Sequence, residues 1–544
     1  MSRRPLLCCA LLLTSGCATI TPKFVLPPAE AEDPIDPVRI EADIRFLADD
    51  LLEGRAIGSP GLALAARYHE NVFRSLGMEP AFKGGFRQPF ELQGSLPDPS
   101  ATLAVEGHAL EPEPRHREDF IVVSHCKGCP QEVTGELVYG GYLIQAPGRG
   151  WDDVKGADLK DKVLLVEVNE PGNREGGAFD GKAMTYYGRW TYKFEKAREL
   201  GARGVLIVHN EGRATYGWDV VRNSWSGEGF YVADPDPRPA FKGWVQEALA
   251  RKLLKLAGKD HAKLVASAER RDFRPVPTGL TVRVRQRSTF RTVTVENVAG
   301  ILRAKHPKRR DAYVVLSAHF DHLGKREAGD DRIYNGAVDN CAASAAMLAA
   351  ARHFASRRGD LRTHLIFLGA TAEEEGLHGS SYFARHLPVP REKVLANINF
   401  EMTNVWGETR DLYAIGGKQS TLDAVCRRAA EAIGARYTEE RGLEDGFFFR
   451  SDQLSFARRG IPAVWLHEGE TSLRGPAEHI RERREAYKQR HYHKPSDDVR
   501  VLEGEWDLRG TAQIARWAAA IVEQIGLAKE RPRFMKESAF AGAR

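Results

Sequence analysis

The stretch Ala312–Gly324 reads AYVVLSAHFDHLG. Tyr313, Val314, Val315 and Leu316 form a short β-branched and aromatic run, which predicts a buried strand. It ends on His319, Asp321 and His322. A neutral imidazole binds a metal through one ring nitrogen, and a carboxylate on the other nitrogen fixes its tautomer and orientation. The strand end therefore reads as a metal ligand backed by an acid. Alone, His-x-Asp is an ordinary turn, so the reading depends on partners elsewhere in the chain.

Those partners follow in order. From Thr292 the chain alternates strand-like runs (VENVAGIL, AYVVLSA, THLIFLGA, KVLANINF, GIPAVWLH) with helix-like ones at Cys341–Arg357, Gly379–His386, Thr421–Ile433 and Leu508–Ile525. This predicts an α/β fold, a mostly parallel mixed sheet with helices on both faces. Asp339 stands in the loop NGAVDN, and Glu373, Glu374 and Glu375 directly follow a strand. Glu401 ends another strand, and His493 lies in RHYHKPSDD. Each sits at or just beyond a strand's carboxyl end, where open α/β sheets build their sites. Three adjacent acids otherwise suit a solvated helix start; here they emerge at the rim of a buried sheet.

The length of 544 residues predicts two or three domains. A hydrophobic share of 42% and a charged share of 28% are those of a globular protein. The net charge of +5 is small for this length, and the basic clusters Lys305–Arg310 and Arg481–Arg484 are short and lack interleaved aromatics. They read as solvated faces, which excludes a nucleic-acid partner.

The first residues, MSRRPLLCCALLLTSGC, carry a basic start, an apolar run and small residues, the pattern of a secretory signal over 1–17. Leu13–Cys17 resembles a bacterial lipoprotein processing site with Cys17 lipidated, although Thr14 departs from the usual leucine. The expected location is outside the cytoplasm, at the periplasmic face of the outer membrane or secreted. Residues 18–36 read as a flexible tether. Cys126 and Cys129 lack a second such pair to complete four zinc ligands; in an exported protein a local disulfide is expected.

Residues 37–91 are helical in pattern, with Leu62, Ala65, Ala66, His69, Val72, Phe73 and Leu76 on one face, and His69 reads as packed. Over 92–287 short strand-like runs dominate, with one clear helix at Tyr192–Leu200. This is a β-rich insertion with its own core, and KDKVLLVEV followed by KFEKARELGARGVLIVHN resembles a protease-associated module. Tyr186, Tyr187, Trp190 and Tyr192 read either as a substrate-facing edge or as the core of that module. Residues 288–530 form the expected catalytic domain, and 531–544 a tail.

The set AHFDHLG, GAVDN, AEEEGLHGS, SDQLSFARRGIPAV and YHKPSDD, with LADDLLEGRAIGSPG upstream, resembles the co-catalytic dizinc aminopeptidases. That family includes secreted leucyl-type aminopeptidases, glutamate carboxypeptidase and the metal-free transferrin receptor ectodomain. The resemblance implies two zinc ions, with His319 and Glu401 on one, Glu374 and His493 on the other, and Asp339 bridging both. It implies Glu373 as general base and Asp321 behind His319, and it leaves His322 as a structural residue or one that stands behind a ligand. Many members have aspartate where this chain has Glu401. Cys341 replaces a common alanine and reads as packing. The implied activity is removal of N-terminal residues from peptides. A glutamate-releasing carboxypeptidase is the alternative, needing arginines such as Arg450 and Arg458 on a substrate carboxylate. A non-catalytic ectodomain would require lost ligands, and all five are present.

Overall fold

The structure is a computed structural model that describes residues 34–124, 127–172, 178–232, 239–305, 311–502, 504 and 506–543. The expected signal, Cys17, almost all of the tether, and Cys126 lie outside them. Cys129 is disulfide-bonded. Among the described residues no helix is long and apolar enough to cross a membrane.

The main sheet has ten strands among the described residues: β1 (Glu79–Pro80), β2 (Arg87–Pro97), β3 (Gly229–Val232), β4 (Ser288–Leu302), β5 (Tyr313–His319), β6 (His364–Ala370), β7 (Val394–Asn399), β8 (Asp411–Ile415), β9 (Arg436–Tyr437) and β10 (Ala463–Glu468). Their order is β3-β2-β4-β6-β5-β7-β10-β8-β9, with β1 on β4. The four central strands, β6, β5, β7 and β10, run parallel. Both flanks join them antiparallel, through β4 on β6 and β8 on β10.

Buried parallel strands must be apolar on both faces, and β5 is buried along its whole length. Val314, Leu316 and Ala318 pack into a core shared with the helices Pro37–Leu47, Ala343–Ser356 and Arg509–Leu527. Tyr313 and Val315 face the opposite way, against Phe383 and Ala384 of the His378–Arg385 helix and Phe456. The run of alanines from Ala342 to Ala351 lets its helix lie close on the sheet, and these residues are almost wholly inaccessible.

A second, seven-stranded sheet takes strands from Thr102–Val105 to Val276–Arg285, with separate apolar clusters on its two faces. The 92–287 stretch is less self-contained and less β-rich than its sequence suggests. β2 continues through it to Pro97, β3 leaves it to pair with β2, and it carries the helices Trp218–Ser226, Glu247–Leu256 and His261–Ala268 beside the expected one, which spans Trp190–Glu199. The C-terminal tail is docked: Phe540 is buried against Tyr186, Phe448 and Phe449. Tyr192 is buried, and Tyr186 and Tyr187 are packed against apolar clusters.

The N-terminal LEGR turn is bound directly to the rim. Arg55 is buried, and its guanidinium donates to the carbonyls of Phe320 (2.8 Å), Asn335 (2.7 Å) and Leu47. Gly54 (φ +68°) permits this approach, since a Cβ there would stand 2.3 Å from the Gly324 carbonyl. Arg55→Met leaves three buried carbonyls without their charged donor, and a loss of about 3 kcal/mol is expected. Urea denaturation measures it; a stability within about 0.5 kcal/mol of wild type would refute the pinning role.

Candidate metal centre

In parallel strands the carboxyl ends lie side by side, about 4.8 Å apart. β5 pairs in register with β6, His319 opposite Ala370, and with β7, Ser317 opposite Asn399. His319, the glutamates beginning three residues past β6 and Glu401 past β7 are thereby placed on one rim. Beneath them runs a polar ladder: Ser317 Oγ donates to Asn399 Oδ1 (2.7 Å), and Asn399 Nδ2 donates to Ser451 Oγ (3.0 Å).

Asp339 lies at the centre. Its Oδ1 is 3.6 Å from His319 Nε2, and its Oδ2 is 3.1 Å from His493 Nε2. Glu401 Oε1 completes the first group, 3.4 Å from His319 Nε2. Glu374 Oε2 completes the second, 3.2 Å from His493 Nε2. The compact ligand set on this side is His322, Asp339 and Glu374, with His322 Nδ1 2.6 Å from Glu374 Oε1, whereas His493, the ligand expected from sequence, lies beside that set, within 3.2 Å of both carboxylates. Glu373 Oε2 approaches His319 Nε2 at 3.8 Å and takes no part in either group.

The electrostatics are those of a cation site. Burial pushes the His319 pKa down, but Glu401 and Glu373 more than offset it and raise it well above the ordinary value. His493 is raised to about 11 against burial, chiefly by Glu374 and Asp339. Asp339 is held well below the carboxylate range: burial opposes this, and hydrogen bonds from His319 and His493 win. Burial, with Glu401 and Glu374, drives Glu373 well above its ordinary value. Packed carboxylates outnumber the imidazoles that offset them, and uncompensated buried charge is costly. His319 Nε2 is moreover buried with no hydrogen-bond partner among the described residues. An orphaned imidazole nitrogen converging with two carboxylates, and the N,O donor set as a whole, fit a divalent metal such as zinc.

Behind the ligand candidates stand residues that hold them. Asp321 is 3.6 Å from His319 Nδ1, and its oxygens accept the backbone N–H of Glu373 (3.1 Å) and Glu374 (3.3 Å), tying the ends of β5 and β6 together. Asp497 is a support that sequence reasoning missed. It accepts the backbone N–H groups of Val338 (2.9 Å) and Asp339 (3.1 Å) and the Tyr487 hydroxyl (2.8 Å). Its only sequence signal is its place in the YHKPSDD motif. Ser451 is another: its hydroxyl donates to Glu401 Oε2 at 2.7 Å. Ser451 and Asp452 are buried. The stretch 469–490 carries the helix His479–Arg490. Cys341 is buried, and burial pushes its thiol up to about 11, as suits a packing residue. Of the two arginines weighed for a substrate carboxylate, Arg458 is paired with Glu195 at 2.5 Å, while Arg450 is exposed.

A buried cluster of imidazoles and carboxylates on the carboxyl rim of an α/β sheet, with one further carboxylate standing free, defines a metallohydrolase-type centre. Residues 297–518 match the family model of Peptidase family M28. No curated protein matches the sequence. Among solved structures, an aminopeptidase from Aneurinibacillus sp. strain AM-1 aligns with a TM-score of 0.51 and 21% identity over 92% of this chain and 95% of its own, a likeness of fold. A zinc aminopeptidase from Bacillus subtilis aligns at 0.43 and 18% over 93% and 100%, and a peptidase M28 precursor from Shewanella amazonensis at 0.39 and 16% over 92% and 99%.

If Asp497 sets the Asp339 loop, Asp497→Asn weakens zinc binding by about 10- to 100-fold, the usual effect of losing an outer hydrogen bond. Competition with a chromophoric chelator reads this out, and unchanged affinity would remove Asp497 from the support.

Proposed function

We propose that the protein is a zinc-dependent aminopeptidase that takes two zinc ions. The reading is carried by the placement of Asp339, whose two oxygens face two different histidines, each with its own glutamate. His319, Asp339 and Glu401 would hold one ion, and Asp339, Glu374 and His493 the other, with His322 buttressing Glu374. When bound, zinc polarises the scissile carbonyl and acidifies water.

The chain's own residues supply the rest. Glu373 belongs to neither ligand group and stands 3.8 Å from His319 Nε2, placed to take a proton from the attacking water and return it to the leaving amine. The carbonyl carbon gains the water oxygen, the C–N bond breaks, and the amine leaves protonated. Asp321 orients His319. The second-sheet unit meets the segment before Ser451, where Met184 N–H donates to the Leu443 carbonyl (2.9 Å) and Tyr186 packs on Phe449, and it would restrict the approach to the centre from that side. A confined site suits peptide ends.

The 92–287 unit is read as a protease-associated domain between the N-terminal part (37–91) and the catalytic domain (288–530). The leader is read as a lipoprotein signal that anchors the exported protein at Cys17. A Cys17→Ser variant is then expected to move from the membrane fraction to the soluble fraction; retention in the membrane would refute the anchor.

Glu373→Gln is expected to lower kcat by about 10²- to 10⁴-fold while zinc content stays at wild type. Aminoacyl p-nitroanilides and elemental analysis measure the two quantities, and turnover near wild type would remove Glu373 as the base. Free-amine peptides should be cleaved and their N-acetyl forms spared. Cleavage of both would refute the aminopeptidase reading, and a saturating content of one zinc per chain would refute the pair.

A further inference from the structure

The turn that carries Glu373 is closed at its mouth by a residue from another strand. β4 pairs antiparallel with β6, Val298 opposite Gly369, so Asn297, the residue before Val298, comes level with the point where β6 ends and the turn 371–379 begins. Asn297 is fully buried, and its amide spans the mouth: Oδ1 accepts the Thr371 N–H (3.1 Å) and Nδ2 donates to the Gly379 carbonyl (2.8 Å). Thr371 and Gly379 also meet each other, the Gly379 N–H donating to the Thr371 carbonyl at 2.9 Å. The fit is tight, since a Cβ on Gly379 would stand 2.1 Å from the Thr371 carbonyl oxygen and 2.5 Å from Asn297 Oδ1. Gln88, directly opposite Asn297 on β2, sets which way the amide faces. Its Oε1 accepts from Asn297 Nδ2 (3.0 Å), and its Nε2 donates to the His386 carbonyl (3.0 Å), where the His378–Arg385 helix ends.

Beyond this clamp the backbone is wound tightly around Glu373. The Gly376 and Leu377 N–H groups both donate to the Glu373 carbonyl (2.9 Å each), and the His378 N–H donates to the Ala372 carbonyl (2.9 Å). Ala372, between the clamped Thr371 and Glu373, is held at φ +55°, and Leu377 at +61°. Residues other than glycine keep this left-handed conformation only where their surroundings impose it. Without the bonds at its mouth the turn is free to relax, and Glu373 is two residues from the released end. The two glutamates depend on the turn unequally. His322 Nδ1 holds the Glu374 carboxylate directly, at 2.6 Å. The Glu373 carboxylate approaches His319 Nε2 at 3.8 Å, beyond hydrogen-bonding length, so its place is set by the backbone that carries it.

We propose that Asn297 is a positioning residue for the general base: by bonding Thr371 and Gly379 across the mouth of the turn, it fixes where Glu373 presents its carboxylate, and it acts on the reaction through Glu373 rather than through the metals. Gln88 supports it by orienting its amide. This role rests on the aminopeptidase reading with Glu373 as base, and adds to it a buried residue of β4 that touches neither metal group.

A double-mutant cycle with the zinc-loaded protein and an aminoacyl p-nitroanilide tests this. Asn297→Ala is expected to lower kcat by about 10- to 100-fold, the scale of a catalytic group displaced by up to about 1 Å, while KM stays within about threefold and zinc content is unchanged. In the Glu373→Gln background the same substitution should lower kcat no further, because the group it positions is already gone. A clamp that merely holds the fold would lower kcat by the same factor in both backgrounds, and that result, or a loss of zinc from Asn297→Ala, would overturn the role. Gln88→Met leaves Asn297 in place and removes the side-chain bonds to Asn297 and His386. It carries the cycle if Asn297→Ala fails to fold, with an expected loss in kcat of about threefold or more that again vanishes in Glu373→Gln. Wild-type kcat in the variant that folds would overturn the role. Wild-type turnover in Glu373→Gln, or cleavage of no free-amine substrate by the unsubstituted protein, would instead overturn the reading beneath it, and the control arms of the cycle tell the two failures apart.

Discussion

One carboxylate set between two imidazoles governs this molecule. Asp339 is buried with His319 on one oxygen and His493 on the other, and further glutamates close around both. Such a cluster is repulsive unless cations bind it, so its geometry must be enforced by parts that do not themselves bind metal. Asp497 holds the backbone of Val338 and Asp339 from below. Gly336 (φ +60°) gives the loop its turn, and a Cβ there would stand 2.7 Å from the His322 ring. Arg55 reaches in from the N-terminal turn to the carbonyls on either side, at Phe320 and Asn335.

The parallel centre of the sheet does the remaining positioning. With β6, β5 and β7 adjacent, three stretches distant in sequence deliver their side chains to one edge, and Asp321 bonds the first to the second through two peptide N–H groups. Small errors at such a rim matter, because a displacement of about 1 Å costs about a hundredfold in rate. The second-sheet unit adds a wall above this edge rather than a ligand to it. It meets the segment leading into Ser451 through the Met184 N–H to Leu443 carbonyl bond and the packing of Tyr186 on Phe449.

The central strands were legible because buried parallel strands are continuous apolar runs that stop where their polar ends begin. β6 and β7 lie within the runs read from sequence, and β5 and β10 each extend one residue past theirs. His319, Glu374 and Glu401 were legible because each closes or follows such a run, whereas Asp339 lies in the turn Ala337–Ala342 and His493 follows the His479–Arg490 helix, so both were carried by motif rather than by a strand end. What escaped lacked that signal. The His479–Arg490 helix buries only Ile480 and Tyr487, too few for an apolar stripe. β3 has four residues and takes its place only through β2, a pairing of distant segments. Asp497 and Arg55 act on backbone atoms of loops far away in sequence, and no local pattern encodes that. His322 resembled His319 too closely for spacing alone to separate their roles.

Glu401 shows how a longer side chain can serve where aspartate is common. An extra methylene adds reach and also a freely turning bond, which would blur the position of a ligand oxygen. Here the freedom is removed from several sides. Ser451 Oγ donates to Oε2 at 2.7 Å, Asn340 Nδ2 approaches the same oxygen at 3.4 Å, and Trp465 Nε1 donates to the Glu401 carbonyl at 2.9 Å. Asn340 is itself fixed by the Met402 N–H. With Oε2 occupied by protein donors, Oε1 is the oxygen left facing His319. A one-oxygen donor with a braced partner suits zinc, which takes four ligands at short range. The departure at this position is thus absorbed by Ser451 and Asn340, and the geometry of the first metal group depends on them as much as on the glutamate.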